Sequence, residues 1–403
     1  MRILHVIPSF APAWYYGGPI YAAFGLTRAL VHQGHKVTVM TTNINGPGVL
    51  DVPTEQPVCM DGVEVWYFPL QWPRVWYFSH PLGRALSQQV PDFDLVHIHS
   101  VFLWPTSAAA FWCRRFKIPY LLRPAGALDP ICITKAYERR WISLSSQAKK
   151  GIYLATLGKM DLRHAAALHF ASQAEMEAAR FLRLQCPGFV VPLGTETAQV
   201  DGTSSASMRE QYPQLAGKKM ILFMSRLDPK KGLDILIPAT AQLARRRNDF
   251  TLVIAGSGER VYEAQVHQLV TMYNLHDRTI FTGFMQGEEK WQLLREADIF
   301  VLPSYHENFG IAVIEALAAG LPVVISSRVN IYREILEAGA GLVTPLESHA
   351  LTTTLDGLLN NPSMRHEMGQ KGKQLASTRF SWSAISGEML RVYTTLLEAK
   401  SRS

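Results

Sequence analysis

The chain has 403 residues, 48% of them hydrophobic and 18% charged, which excludes an intrinsically disordered chain and, at about 150 residues per domain, predicts two or three folded domains. The formal net charge of +7 is concentrated in residues 1–198, where 18 Lys and Arg stand against 12 Asp and Glu. The four cysteines form no Cys-x-x-Cys pair, which argues against a zinc knuckle or a disulfide framework and favours a reducing cytoplasm.

The first predicted element is a strand within residues 1–8, whose apolar run is too short for a signal peptide. One stretch without a formal charge, residues 95–113, has about the length of a membrane span. It contains two histidines and a proline, however, so the pattern favours a strand, a loop and a helix.

Strands and helices alternate along the chain, which is the pattern of parallel sheets covered by helices on both faces. Residues 195–218, rich in Gly, Thr, Ser, Gln and Lys, interrupt the alternation. We therefore predict an α/β chain of two doubly wound, Rossmann-like domains, residues 1–195 and 196–380, and a C-terminal helix in residues 381–403 that packs on the first domain. The predicted strands are residues 3–7, 36–42, 95–99, 120–122, 167–171, 220–224, 251–255, 279–281, 299–302 and 322–325.

The basic first half carries candidate surface patches for an anionic partner. Lys and Arg cluster at residues 114–117, 135–141 and 149–150, and aromatic residues cluster at 66–68 and 72–78. Basic residues beside exposed aromatics suit an anionic membrane surface or a nucleic acid. Solvated helix faces over core aromatics explain the same composition, and both interpretations stay open.

Ligands of parallel α/β sheets bind beyond the carboxyl ends of the strands, so we look for site residues in the loops that begin there. In the first domain, Gly17 and Gly18 can bring backbone N–H groups close to an anion, or simply form a tight turn. His99 ends its strand, either as a ligand contact or as a structural histidine. Arg123 and Gly126 follow the next strand and offer further polar groups to the same rim.

In the second domain, Arg226 and Lys231 lie between a strand and a helix, where two positive charges can clamp a diphosphate. Gly256 follows the next strand, and Gly283 and Phe284 follow the one after it. These are positions where a ligand can approach the backbone closely.

Glu307 and Glu315 flank an apolar segment that reads as a buried helix. A helix that begins within Asn308, Phe309 and Gly310 leaves Glu307 in the loop and Glu315 in the second turn, with free backbone N–H groups facing an anion. Carboxylates beside an anion are unfavourable unless they bind hydroxyl groups. The arrangement therefore indicates a sugar nucleotide, whose diphosphate lies between hexose and ribose hydroxyls.

These motifs together resemble those of glycosyltransferase family 4, whose GT-B architecture places two Rossmann-like domains across a cleft. The segment from Glu307 to Glu315 matches the family's Glu-x-Phe-Gly-x-x-x-x-Glu signature. Ser225-Arg226-Leu227 and Lys231-Gly232 match the family's donor-phosphate motif. Gly17-Gly18 matches its N-terminal glycine loop, and His99 matches its cleft histidine. Arg123-Pro-Ala-Gly126 departs from the His-Gly more often found in that loop, so the resemblance says less about the acceptor.

The resemblance implies retaining transfer of a hexosyl residue from a nucleotide-diphosphate sugar. The resemblance implies that Arg226 and Lys231 stabilise the departing diphosphate. Glu307 and the backbone of residues 308–310 hold the hexose, and Glu315 binds the ribose. The resemblance also implies that His99 contacts the donor sugar near its reacting carbon and that Gly18 lies over the phosphates.

The same resemblance, with the basic first half, implies a saccharide or lipid-linked saccharide acceptor in bacterial surface polysaccharide or glycolipid assembly. It places the enzyme in the cytoplasm, with an anionic membrane surface as a partner, and requires no cofactor. We predict no metal site, because Asp92 and Asp94 precede a strand rather than end one and are better interpreted as a turn.

Three other classes of protein compete with this interpretation. A nicotinamide dehydrogenase requires Gly-x-Gly-x-x-Gly after its first strand, and Gly17-Gly18-Pro19 is not that motif. A nucleic-acid-binding protein would explain the basic charge but not the two glutamates. A GT-B-fold nucleotide-sugar epimerase, or a non-catalytic binder of nucleotide sugars, remains the alternative.

Overall fold

The computed structural model describes residues 1–134, 151, 153, 156–197 and 207–401 and contains two compact units. One unit combines Met1–Gly194 with Trp382–Ser403, and the other is Thr195–Ser381. The basic segments predicted at residues 135–141 and 149–150 lie outside the described residues.

Both units are α/β, with strands and helices alternating along the described chain. The strands of the first unit are β1 (Arg2–Ile7), β2 (Lys36–Thr42), β3 (Ile44–Asn45), β4 (Gly48–Val49), β5 (Pro57–Met60), β6 (Val63–Phe68), β7 (Leu95–His99), β8 (Tyr120–Arg123), β9 (Ala167–Phe170) and β10 (Gly188–Val190). Those of the second unit are β11 (Lys219–Met224), β12 (Phe250–Ala255), β13 (Thr279–Gly283), β14 (Ile299–Leu302), β15 (Val323–Ser326) and β16 (Gly341–Thr344).

Helices connect most of these strands. In chain order, the described α-helices are α1 (Gly18–His32), α2 (His80–Gln89), α3 (Trp104–Phe116), α4 (Pro130–Thr134), α5 (Leu157–Arg163), α6 (Gln173–Ala179), α7 (Met208–Gln211), α8 (Leu233–Ala244), α9 (Arg260–Met272), α10 (Gly287–Glu296), α11 (Ile311–Ala318), α12 (Tyr332–Ala338), α13 (Ser348–Asn360), α14 (Pro362–Arg379) and α15 (Trp382–Ser401). None of them is both long and apolar enough to cross a membrane.

The two large sheets are almost entirely parallel. The first has the strand order β10-β9-β8-β7-β1-β2-β6-β5, in which only the β5–β6 pair is antiparallel. The second has the order β13-β12-β11-β14-β15-β16. Their central strands are continuous buried runs, as in β7, where all five residues are buried. Helices on both faces of a parallel sheet require such runs.

In each sheet the strand order reverses beside the first strand of the unit. β1 lies between β2 and β7, and β11 lies between β12 and β14. At such a point the loops that leave the two carboxyl ends diverge and open a crevice, because their helices cover opposite faces of the sheet. The loops after β1, β7, β11 and β14 hold most of the candidate site residues.

The C-terminal helix α15 belongs to the core of the first unit, although it follows the second unit in sequence. Its Ile385, Met389 and Tyr393 are buried among apolar residues of β1, β2 and α1. At its start, the indole of Trp382 fills a space left by a glycine of α1, since a Cβ at Gly25 would lie 2.0 Å from the ring. This close fit holds α15 against α1.

All ten predicted strands are confirmed, with bounds that differ by at most two residues. Residues 95–113 form β7 and part of α3, as predicted, and not a membrane span. The sequence pattern missed the β5–β6 hairpin and the short edge strands β10 and β16, which are too short to show a clear periodicity.

The structure contradicts two parts of the predicted basic and aromatic surface. Tyr67 and Phe68 are buried, because they lie on β6 between its neighbours in the sheet, so they cannot be exposed aromatics. Arg114 donates to the buried carboxylate of Asp161 at 2.8 Å, so its charge is already neutralised within the unit. Arg115 and Lys117 are exposed, as expected.

Candidate functional site

The loop between β11 and α8 carries the two basic residues predicted to meet a diphosphate. It contains the 3-10 turn Pro229–Lys231, at whose start the Asp228 carboxylate accepts a hydrogen bond from the Lys230 N–H at 3.1 Å. The loop gives Arg226 and Lys231 different environments. The side chain of Arg226 is 55% exposed and lies 3.7 Å from Asp228, whereas Lys231 is buried.

The buried Lys231 is paired with Glu307, which lies in the loop after β14. The Lys231 ammonium donates to Oε2 of Glu307. The Glu307 backbone is held on both sides, because its N–H donates to the Arg328 carbonyl and its carbonyl accepts from the Asn330 N–H, each at 3.0 Å. Burial opposes ionisation of Glu307, but the adjacent Lys231 ammonium outweighs it and holds the pKa of that carboxyl below its ordinary value. The pair is therefore ionic, with no net charge.

Helix α11 begins at Ile311, just after the predicted start within residues 308–310. Its cap is Gly310, whose φ of +89° is strained for any residue with a Cβ. In the described chain, the backbone N–H groups of residues 308–310 have no protein acceptor, and the buried Oδ1 of Asn308 has no partner. The ring of Phe309 packs on Phe380 with the centroids 5.9 Å apart, so only the backbone of Phe309 can meet a ligand.

Glu315 is the fifth residue of α11 and has its own ammonium partner. Lys290, on α10, donates to Glu315 Oε1 at 2.7 Å, and both side chains are largely buried, with 14% and 12% of their surface exposed. Sequence reasoning missed Lys290, because a lysine within an amphipathic helix carries no local signal of its contacts. Each of the two predicted glutamates is thus oriented by one lysine.

The remaining predicted residues of the second unit lie after neighbouring strands. Gly256 follows β12, and its N–H donates to the Gly283 carbonyl at 2.7 Å, which ties the two loops together. Phe284 follows β13, and its side chain is 52% exposed. These residues are at the carboxyl edge of the sheet, but in the described chain no hydrogen bond or ion pair joins them to Lys231 or Glu307.

In the first unit, the glycine pair lies where β1 passes into α1. Gly17 caps α1 with a φ of +65°, and its own N–H donates to the Trp14 carbonyl at 2.9 Å. Gly18 and Pro19 form the first turn of the helix, which directs its positive end towards the carboxyl edge of the sheet.

A buried hydrogen-bonded chain lies among β7, β9 and α15. His169 Nε2 lies 2.8 Å from the Val191 carbonyl, which can only accept, so this nitrogen carries the proton. The neutral His169 ring then accepts at Nδ1 from His97 Nε2, 3.3 Å away. His97 accepts in turn at Nδ1 from the Tyr393 hydroxyl at 2.8 Å. The C-terminal helix thereby helps to fix the tautomer of His97.

His99 belongs to a second pair in the same cluster. His5 Nδ1 and His99 Nε2 share a hydrogen bond of 2.9 Å, while His5 Nε2 and His99 Nδ1 are buried without a partner. Burial lowers the pKa of His5 to about 3, and burial, together with the nearby His5 ring and Arg123 guanidinium, lowers the pKa of His99 well below its ordinary value. Both rings are therefore neutral at pH 7. Sequence reasoning missed His5, because it did not pair β1 with β7.

His5, His97 and His99 are the described residues that could hold a metal ion, since one ring nitrogen of each lies within 4.8 Å of the others. Hydrogen bonds already occupy His5 Nδ1, His99 Nε2 and both nitrogens of His97. A metal would have to break some of these bonds, and it would be repelled by the nearby Arg123 guanidinium, whose charge lowers the pKa of His97 and His99. The cluster is therefore better explained as a hydrogen-bonded support for His99.

Arg123 ends β8 directly beside His99, its partner in the parallel register of β7 and β8. It is 4% exposed, and its buried Nε has no hydrogen-bond partner. The nearby Glu175 carboxylate is engaged by backbone N–H groups, with Oε1 accepting from Gly126 and Oε2 from Ala171. Burial lowers the pKa of Arg123, and Glu175 raises it.

Family models cover most of the chain. Residues 17–194 match the model of the glycosyl transferase 4-like domain, and residues 204–375 match that of glycosyl transferases group 1. The chain is 27% identical over 403 residues to an uncharacterized glycosyltransferase of Methanocaldococcus jannaschii, with 96% of each chain covered. It is 30% identical over 317 residues to the phosphatidyl-myo-inositol mannosyltransferase of Mycobacterium leprae, with 77% of this chain and 76% of that one covered.

Solved structures show the same fold. The crystal structure of Anabaena HepE in complex with UDP and glucose matches with a TM-score of 0.75 at 21% identity, over 98% of this chain and 100% of that one. Sucrose-phosphate synthase from Thermosynechococcus elongatus matches with a TM-score of 0.76 at 20% identity, over 99% and 100% of the two chains.

The largely buried Lys231–Glu307 pair, with 10% and 18% of its side chains exposed, predicts strong energetic coupling in the ligand-free protein. Lys231→Met and Glu307→Gln should each lower the free energy of unfolding by about 3–5 kcal/mol, because each leaves one buried charge without its partner. The double variant should recover most of that loss. A double-mutant cycle from urea denaturation at pH 7 measures the coupling, and additive effects of the two substitutions would contradict it.

The Lys231–Glu307 pair also makes the free energy of unfolding depend on pH. Because the pKa of Glu307 is lowered on folding, its contribution is complete above the ordinary glutamate pKa of about 4.3 and is lost as the pH falls through the lowered value. The difference in stability between the wild type and Glu307→Gln should therefore shrink only in acid.

Proposed function

Since the chain belongs to the family 4-like glycosyltransferases and has their GT-B fold, we propose that it moves a hexosyl residue, with retention, from a nucleotide-diphosphate sugar to a saccharide or lipid-linked saccharide. The observation that carries the proposal is the carboxyl edge of the second unit. There an exposed guanidinium, a largely buried lysine–glutamate pair and the start of a buried helix meet at the point where the strand order reverses. Diphosphates and sugar hydroxyls need this combination of cations, N–H groups and carboxylates.

The two cations suit the leaving diphosphate in different ways. Arg226 is exposed enough to swing onto a phosphate as a planar two-pronged donor. Lys231 is fixed by Glu307, and it keeps two further N–H donors for a ligand, because an ammonium has three. Charge that develops on the leaving oxygens is then met by donors that are already in place, which is worth roughly 3–4 kcal/mol for one well-placed donor.

The two carboxylates suit the hydroxyl groups at either end of the donor. Glu307 uses Oε2 for Lys231, which leaves Oε1 to accept from a hexose hydroxyl, next to the unpaired N–H groups of residues 308–310. Glu315 uses Oε1 for Lys290, which leaves Oε2 for a ribose hydroxyl. Because each glutamate is neutralised by its lysine, it can lie beside a diphosphate without strong repulsion.

On the first unit, His99 offers a neutral imidazole to the donor sugar, and Gly17 and Gly18 offer the positive end of α1 to the phosphates. The relatives support a nucleotide-sugar donor and leave its identity open, since HepE was crystallised with UDP and with UDP-glucose, and the M. leprae relative is named a mannosyltransferase. Bacterial surface polysaccharide or glycolipid assembly in the cytoplasm is the pathway that we propose.

A donor screen followed by product analysis tests this function. UDP-, GDP- and ADP-sugars are compared by thermal shift, where a ligand at 100 times its Kd adds about 2.7 kcal/mol of stability. The responding donor is incubated with lipid-linked saccharides from bacterial membranes, and the anomeric proton coupling in the product gives the stereochemistry. We expect a new glycoside with the anomeric configuration of the donor.

Two results would contradict the proposal. An inverted product would remove the retaining mechanism. Conversion of the donor into an epimeric nucleotide sugar, or tight binding with no product on any acceptor, would favour the epimerase or the non-catalytic binder.

Variants separate leaving-group stabilisation from ground-state binding. Arg226→Ala should lower kcat by about a hundredfold or more, because the guanidinium acts on charge that appears as the bond to phosphate breaks. Glu315→Ala should chiefly raise the donor KM, because it holds the ribose equally before and during the reaction. The matched control is Arg246→Ala, which removes an exposed arginine outside the site. If folded Arg226→Ala kept the wild-type kcat, Arg226 would leave the catalytic set.

An anionic membrane surface is the proposed partner of the first unit. Helix α5 exposes Leu157 and Met160, at 55% and 50%, alternating with the exposed cations Lys159 and Arg163. Its one acidic residue, Asp161, is buried against Arg114. Exposed apolar side chains flanked by cations are the pattern of a helix that lies in a lipid interface.

Vesicle binding tests this surface. The chain should sediment with phosphatidylglycerol vesicles at low salt and less so at physiological salt, where charges are screened beyond about 8 Å. Leu157→Glu with Met160→Glu should reduce this binding at least tenfold, while Leu336→Glu, at a similarly exposed leucine of the second unit, should not. Equal binding by all three proteins would exclude α5 as the contact.

A further inference from the structure

Arg123 is a buried cation for which the described structure provides no hydrogen-bonded counter-ion. The residue is 4% exposed, and neither a hydrogen bond nor an ion pair to its guanidinium is found among the described residues. Burying an ionised group without a partner is costly, so nearly all buried charges in proteins are paired or bind a ligand. The position of Arg123 therefore requires an explanation.

The neighbours of Arg123 do not compensate its charge by direct contact. Glu175 lies close enough to raise the pKa of Arg123, but both of its oxygens accept backbone N–H groups, which fix the loop after β8. The adjacent rings of His97 and His99 are neutral and add no negative charge.

A second unsatisfied group lies beside the guanidinium. Of the two partnerless nitrogens of the His5–His99 pair, one must carry a proton and the other a lone pair, because the two neutral rings share one hydrogen bond. An acceptor bound near Arg123 favours the proton on His99 Nδ1. Two donors would then face the carboxyl edge from adjacent strands β7 and β8.

We propose that Arg123 and His99 form a subsite on the first unit for an anionic group, a carboxylate or a phosphate, carried by the acceptor. This inference rests on the proposed glycosyl transfer and names the chemical class of its acceptor. A guanidinium presents a planar fork that matches both anions, whereas a sugar hydroxyl would leave the buried charge uncompensated. The donor's own diphosphate has separate cations, Arg226 and Lys231, on the second unit.

Thermal shift and calorimetry with inorganic phosphate and with glucuronate test the subsite. The titrations are run at constant ionic strength, with and without a saturating concentration of whichever of UDP or GDP stabilises the chain, so that donor-phosphate cations are occupied in one arm. Arg123→Gln is compared with the wild type, with Arg123→Lys, and with Arg84→Gln, which removes an exposed arginine of the same unit. Neutral glucose is the blank.

We expect at least one anion to bind the wild type in the presence of the nucleotide, and Arg123→Gln to weaken that binding at least tenfold. Arg123→Lys should bind with intermediate affinity, because it keeps the charge but loses the fork, and Arg84→Gln should bind like the wild type. Nucleotide affinity should be the same in all four proteins. Without ligand, the Tm of Arg123→Gln should not fall below that of the wild type, since no internal partner is lost.

Three binding results would overturn the subsite. The first is equal anion binding by Arg123→Gln and the wild type, and the second is no binding of either anion to the wild type. The third is a loss of nucleotide affinity in Arg123→Gln that matches the loss of anion affinity. The last would assign the guanidinium to the donor. A ligand-free Tm several degrees lower in both Arg123 variants would instead show a structural role. Failure of the nucleotide to bind the wild type would count against the glycosyltransferase proposal, and the anion titrations without nucleotide would still decide the subsite.

Discussion

In a parallel sheet, every strand delivers its carboxyl end to the same edge, and the chain must return through a helix before it can add another strand. This constraint places the functional loops of both units. Where the strand order reverses beside β1 and beside β11, consecutive crossovers cover opposite faces, and the two loops between them cannot fill the space at the edge. Polar groups that would be costly inside the sheet can lie there, next to the ends of helices.

The charges at these edges are handled differently in the two units. In the second unit, Glu307 and Glu315 each receive one lysine, so that two carboxylates are held near a prospective diphosphate without excess negative charge. In the described part of the first unit, His97 and His99 near the buried cation Arg123 are neutral and do not balance its charge. The charges of the two glutamates are thus balanced within the second unit, whereas the charge of Arg123 is not balanced by a direct contact in the described part of the first. A donor that brings its own negative charge and an acceptor of complementary charge fit this difference.

The sequence predicts the elements well where the signal is local. Apolar runs such as β7 and the glycine-capped start of α11 can be recognised within ten residues, and the order of strands and helices predicts the parallel sheets. Pairing of side chains cannot be read in this way. Lys231 and Glu307 are 76 positions apart, and Lys290 and Glu315 are 25 apart, so only the fold brings them together. For the same reason, the sequence does not predict that His5 pairs with His99 or that Asp161 pairs with Arg114. Because such pairs decide which side chains are buried, exposure is the property that the sequence predicts least well.

Helix α15 gives the first unit a discontinuous sequence, with consequences for the order of assembly during synthesis. The strands of Met1–Gly194 leave the ribosome first, but the apolar groove that receives Ile385, Met389 and Tyr393 stays uncovered until all of Thr195–Ser381 has been translated. At about 5–20 residues per second, this interval lasts many seconds. The second unit, continuous in sequence, can complete its core in that time. The hydroxyl that fixes the tautomer of His97 arrives with the last helix, so the polar interior of the first unit is finished only after the second unit has been translated.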